Sequence, residues 1–276
     1  MNSPKKLNKS NLIPILLIFL FLLSCCSTGP PFAKDPEEES GTTMENFTIY
    51  EYGSGEAALS WELSGSSGRE TGGGLVVSGF ELKLRRSKEL VSLFTGQKLR
   101  LDEEEGARVG YMPGRIDLDL TEGMKGSAEE ARYHFAEKKF SGKELSLTRT
   151  GKFGEINLSG KEFSYGLRTE KLTVKNGFKL TNHDSEGNRT SISGNSLIWP
   201  SGKRIEMAGD VKASLATGWK LQAERLTWDP DQGLLESSGS ASADRDGTTV
   251  SGNSLRYESE NEKLVVVDGR ITEEKD

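Results

Sequence analysis

Two histidines and one pair of aspartates are the residues of this 276-residue chain best suited to acid–base chemistry, and neither set is arranged for it. His183 lies in Asn182-His183-Asp184-Ser185-Glu186-Gly187, a polar, turn-like run. A Ser-His-Asp triad is an arrangement in space, and sequence adjacency of the three does not make one. His134 follows Tyr133 in an alternating segment and reads as an ordinary strand residue. Asp117 and Asp119 are two apart in Arg115-Ile116-Asp117-Leu118-Asp119-Leu120, so they share one face of a strand. Two carboxylates could act as general acid and base on an envelope glycan, but outward strand faces carry such pairs routinely. The chain has no Gly-x-Ser-x-Gly elbow, phosphate-binding Gly-Lys loop or His-Glu-x-x-His. The reading is of a protein that is not an enzyme and needs no cofactor.

The residue with the clearest chemical assignment is Cys25. Lys5, Lys6 and Lys9 precede an apolar run from Leu12 to Leu23, broken only by Pro14. Leu22-Leu23-Ser24-Cys25 then matches a bacterial lipoprotein signal, in which the cysteine is lipidated and becomes the N-terminus. The alternative is an uncleaved anchor. Even counted on to Cys26 the run is about 15 residues, roughly 22 Å of helix against a hydrocarbon core of about 30 Å, short for a span. The expected organisation is a signal peptide at 1–24, a lipidated tether at 25–45 and a folded domain at 46–276. The tether holds Pro30-Pro31, Pro36 and Glu37-Glu38-Glu39, a composition poor in core formers. Cys25 and Cys26 are the only cysteines, so the body has neither a disulfide framework nor a thiolate metal site.

The three lysines of 1–24 are the only charges there, so losing that segment takes the net charge from −6 to −9. An acidic body excludes nucleic acid as the expected partner, because phosphate binding needs a basic face. The 32 glycines and modest apolar content (34%) point to an all-β protein with many turns. Phe47 to Tyr52 and Ala58 to Leu63 predict a hairpin about Gly53-Ser54-Gly55. Gly72-Gly73-Gly74 predicts a loop, and Asp244-Arg245-Asp246-Gly247 a hairpin turn.

Beneath these local signals runs a repeat. Ile192-Ser193-Gly194-Asn195-Ser196-Leu197-Ile198-Trp199 returns as Val250-Ser251-Gly252-Asn253-Ser254-Leu255-Arg256-Tyr257, with Leu221 to Trp228 between them. Leu197, Leu226 and Leu255 are 29 apart; Gly209, Gly239 and Gly269 are 30 apart. Weaker copies upstream place Ala131 and Phe163 in the same series. A fixed period of this size marks a stacked or rolled β array. Two strands per repeat gives 14 to 16 strands, roughly, at ordinary strand and connection lengths. Alternation assigns an inward apolar row to Ile192, Leu197, Trp199, Ile205, Met207, Leu221, Leu226, Trp228, Leu255, Tyr257, Val265 and Val267. Ile192 and Leu197 are five apart, so both face inward only across a bulge near Gly194-Asn195. These rows are either a closed core or a partly open interior that accepts lipid chains, and periodicity does not separate the two.

The repeat x-Ile-x-Gly-x-x-Leu-x-Trp/Tyr followed by x-Val-x-Gly-x-Val resembles that of the LptA/LptC (OstA-like) β-jellyroll superfamily. The segment from Phe47 through Leu63 is similar to the start of LptC members. The resemblance covers residues 45–276. It implies an elongated, twisted, open β-jellyroll of repeated antiparallel strand pairs. It also implies that lipopolysaccharide acyl chains lie in the interior, so that the twelve inward residues are lipid-binding. Members of this family receive lipid from an inner-membrane ABC transporter complex and pass it to an LptA-like periplasmic bridge protein through edge-to-edge strand pairing. The strand from Leu264 to Ile271 is then the docking edge. LptC members carry a transmembrane helix where this chain has its lipobox, which leaves open the membrane that holds Cys25. The rival expectation is a structural or adhesive β-repeat lipoprotein with a closed core.

Overall fold

The computed structural model describes residues 41–276 apart from 52–58, 87–88, 105, 153, 185, 203 and 274–276. Cys25, the signal segment, the tether up to residue 40 and the Gly53-Ser54-Gly55 turn lie outside the described residues. The remainder of the body, from Gly41 on, forms a single unit.

Alternating β-branched and aromatic residues are drawn into strands over nearly all of it. The first nine are β1 (Thr43–Glu51), β2 (Leu59–Thr71), β3 (Gly74–Arg86), β4 (Glu89–Glu104), β5 (Ala107–Asp119), β6 (Lys125–His134), β7 (Lys139–Gly151), β8 (Gly154–Gly166) and β9 (Lys171–His183). Then follow β10 (Arg189–Gly194), β11 (Ser196–Pro200), β12 (Ile205–Ser214), β13 (Lys220–Asp229) and β14 (Leu234–Arg245). The last four are β15 (Thr248–Gly252), β16 (Ser254–Glu258), β17 (Lys263–Val267) and β18 (Arg270–Glu273). All pairing is antiparallel, and among the described residues the 18 strands form one sheet. Three pairs, β10/β11, β15/β16 and β17/β18, are halves of one strand broken at the repeat motif, so continuous runs number fifteen. The expected 14 to 16 strands are those runs. The fold is the expected all-β, elongated open jellyroll.

Turn chemistry follows the sequence. Gly72-Gly73 closes β2 to β3 with Thr71 opposite Gly74. Asp246 (φ 51°) and Gly247 (φ 79°) close β14 to β15, the left-handed pair that a type I′ hairpin requires. β1 and β2 pair antiparallel with Phe47 opposite Gly65, as the predicted hairpin demands.

The strands bend midway, and the repeat residues make the bend. β10 stops at Gly194 and β11 restarts at Ser196. Asn195 between them donates its N–H to the Gly209 carbonyl at 2.9 Å and accepts from Gly177 N–H at 2.9 Å. The extra residue turns Ile192 and Leu197 to the same interior, and both are fully buried. Asn253 repeats the arrangement by donating to the Val267 carbonyl at 3.2 Å. Gly209 (φ 80°) and Gly239 (φ 86°) sit at bends that only a left-handed backbone makes; in the next repeat Asp268 (φ 50°), not Gly269, takes that conformation. Because each strand bends, residues of both halves face one interior.

Cross-strand pairing turns this interior into a continuous row. It runs Ile49, Leu63, Leu82, Phe94, Leu118, Gly126, Leu147, Leu158, Leu180, Ile192, Ala213, Leu221, Ala243, Val250, Ile271, each opposite the next. Every position is apolar or glycine. At strand spacing the row is on the order of 65 Å long. A second row, Phe163, Val174, Leu197, Met207, Leu226, lines the other wall. Among the described residues the polar side chains buried with them are Ser92, Thr181 and Ser237. Ser237 Oγ is used, accepting Leu255 N–H at 2.8 Å.

Candidate functional site: an apolar interior with two bridged lips

Ten of the twelve expected inward residues are buried in one cluster: Ile192, Leu197, Trp199, Ile205, Met207, Leu221, Leu226, Trp228, Leu255 and Tyr257. The other two, Val265 and Val267, are corrected. β17 pairs with β16 so that Leu255 faces Val266 and Tyr257 faces Leu264. Leu264 and Val266 therefore pack on the core, while Val267 is 49% exposed. Leu264-Val265-Val266-Val267 is apolar throughout, so alternation alone gave no phase; the partner strand sets it.

The sheet rolls up until its two margins of turns meet, and among the described residues side chains, not a β ladder, bridge these lips. From the β5–β6 turn, Thr121 Oγ1 meets Tyr165 Oη at 2.6 Å. In the same turn Glu122 Oε1 accepts Ser201 Oγ–H, from the β11–β12 turn, at 2.5 Å. Glu122 Oε2 has no hydrogen bond among the described residues and lies 3.6 Å from Arg149 Nη2. The Arg149 guanidinium in turn sits 5.6 Å above the Trp199 ring. Nearer β1, Arg86 donates to Glu170 Oε1 at 2.5 Å and to the Leu167 carbonyl at 2.7 Å. Arg108 donates to Glu51 at 2.9 Å and stacks 5.6 Å over Trp61, whose ring meets Phe135 edge-on at 5.1 Å.

Two indole N–H groups, of Trp61 and Trp199, are buried at these lips without an acceptor among the described residues. An orphaned buried donor is costly, so each is a place where a polar atom would be welcome. Burial pushes the Tyr165 phenol up against the opposing Thr121 hydrogen bond, and it pushes Tyr133 up as well, keeping both neutral. Burial also holds Lys138 below the usual lysine range.

Between the ties the lips leave room. A cavity of about 820 Å³ opens near β1 over Met44, Ile49, Trp61, Leu75, Leu101 and Phe135. Glu51, Glu70, Asp102, Arg108 and Lys138 are at its rim. A second, of about 480 Å³, lies between Lys152, Asp184 and Asn188 on one lip and Tyr257, Ser259 and Glu260 on the other.

The edges of the sheet are the other exposed feature. Among the described residues β1 pairs only with β2, while β17 and β18 pair only with β16 and β15. The exposed large apolar side chains among the described residues are Tyr50, Leu90, Val267 and Ile271, and all but Leu90 lie on these edge strands. Ile271, 68% exposed, ends the interior row that begins at Ile49.

The acid–base candidates are placed as ordinary surface groups. Asp117 pairs with Arg115 at 3.6 Å and Asp119 with Lys125 at 3.1 Å, on the outer face. His183 ends β9, and His134 ends β6 opposite Lys139. Slight burial of Asp184 is outweighed by hydrogen bonds from the Asn188 side chain and the Asn188, Glu186 and Gly187 backbone. They draw its carboxyl below the usual range and build a turn. No group of three or more His, Cys, Asp or Glu among the described residues is placed to hold a metal ion. No helix among them is long and apolar enough to cross a membrane. Sequence reasoning missed the lip contacts, whose partners are 44 to 84 residues apart and follow no period. The chain matches no protein-family model and no curated protein.

Proposed function

We propose that this chain is a periplasm-facing, lipid-anchored component of lipopolysaccharide export. In this reading Cys25 carries the anchor. Lipopolysaccharide arrives from an inner-membrane ABC transporter complex, its acyl chains enter the apolar interior, and an LptA-like bridge protein takes it on at the β17–β18 edge. The observation that carries the reading is the uninterrupted interior row from Ile49 to Ile271. Neighbouring positions of near-equal apolar character bind acyl chains at about 25 cal/mol per Å². Movement from one to the next is therefore nearly level in free energy. No catalytic residue is required, because the driving energy comes from the transporter.

A photo-crosslinking residue placed in turn at 224 to 228 of the full chain tests this. Adducts with lipopolysaccharide should form from Leu226 and Trp228, which face inward, and not from Glu224, Arg225 or Thr227. Adducts with no inward bias would remove the interior from the account. One observation favours a second reading, a structural or adhesive lipoprotein with a closed core: the interior rows pack into one cluster beneath bridged lips. That reading expects no adducts from any of the five positions.

A further inference from the structure

The lips are tied at several points, and the tie at Glu122 has the features of a movable part. Glu122 holds a left-handed backbone (φ 59°, ψ 25°), disfavoured for a residue with a side chain. It does so in a three-residue 3-10 turn, Thr121–Gly123, with no side-chain cap. Its carboxylate spans the seam, with one oxygen bonded to Ser201 and the other facing Arg149 beyond hydrogen-bond reach. Beneath lies Trp199, 2% exposed, with its indole N–H unpaired among the described residues. A strained turn, a half-satisfied carboxylate and an orphaned donor come together at this one tie. That combination is poorly suited to pure stability and well suited to opening.

We infer that the β5–β6 turn is a latch, and that amphiphile enters the middle of the interior sideways, between the lips, when Glu122 releases Ser201 and Arg149. The inference rests on the interior-binding function proposed above and assigns that site its gate. Release would leave the Ser201 hydroxyl, the Arg149 guanidinium and the Trp199 N–H facing the opened seam. These are donors suited to the phosphate and hydroxyl groups of a lipid head, while the acyl chains meet the apolar rows. Tyr165 and Thr121 form the second tie and must part with it.

The experiment uses the full chain carrying Cys25→Ser and Cys26→Ser, so that added thiols are the only ones. Glu122→Cys with Ser201→Cys is joined across the seam by a short, reducible bifunctional thiol reagent. Lys125→Cys with Thr148→Cys, on facing strands of one lip, is the control. Uptake of fluorescently labelled lipopolysaccharide is followed in time. Linking the lips should slow uptake by about tenfold or more. Reductant should restore it, and the control link should leave it unchanged. Glu122→Ala alone should speed uptake by about fivefold, the effect of losing one or two partly buried polar ties. Unchanged uptake with the lips linked, in protein that still binds saturably, would overturn the latch and leave the interior site standing. No saturable binding before linking would overturn both.

Discussion

Phe94→Ala should lower the unfolding free energy by about 3–5 kcal/mol, the usual cost of emptying a large aromatic from a core. Phe94 has no exposed surface. It stands in the long interior row between Leu82 and Leu118. Its ring stacks on Phe140 at 4.4 Å, and Phe140 leans on Phe163 at 5.5 Å, so three strands share one aromatic cluster. Truncation removes the buried area, the stacking and the support of both neighbours. The loss is large against the roughly 5–15 kcal/mol that holds a domain folded. Urea unfolding of both forms measures it, with the midpoint falling and the slope unchanged. Lys179→Ala, on the outer face beside buried Leu180, should shift stability by no more than about 0.5 kcal/mol. A loss below about 1 kcal/mol for Phe94→Ala would mean that the row is not packed as described.

The second large effect concerns the edge. Val267→Lys combined with Ile271→Lys should weaken association with an LptA-like bridge protein by about tenfold or more, while the thermal midpoint of the chain hardly moves. Ile271 ends the Ala243, Val250, Ile271 ladder with solvent beyond it. Leu264 and Val266, beside it, are only partly covered. A neighbouring strand would cover all three and continue both the ladder and the apolar wall. Lysines there obstruct such pairing, which is how edge strands are commonly protected. Binding is measured between the purified proteins. Unchanged affinity would move docking to the opposite edge, at β1, where Tyr50 is exposed.

The difference between what was legible in the residues and what was not has a physical cause. The 29-residue spacing of Leu197, Leu226 and Leu255 reports strand pairs, because each repeat returns the chain to the same wall. The bulge at Asn195 was legible because two apolar residues five apart must share a face. The four-residue apolar run at Leu264 to Val267 hid its phase, and only pairing with Leu255 and Tyr257 settles it. The lip contacts were out of reach for a different reason. Glu122 and Ser201 meet because a bent sheet brings opposite margins together, and no local pattern encodes how far a sheet curls. The same is true of the two indoles that lack an acceptor among the described residues.

The central claim is that the interior rows hold lipid, and the most direct measurement is a titration of the detergent-free chain with labelled lipopolysaccharide. It is run beside Leu226→Asp and Leu255→Asp, each first shown by circular dichroism to remain folded. The parent chain should bind saturably and both folded variants should lose that binding, since a carboxylate in either row repels acyl chains. Binding that survives in both, or a parent chain that binds nothing, would contradict it and leave the rows as a core alone.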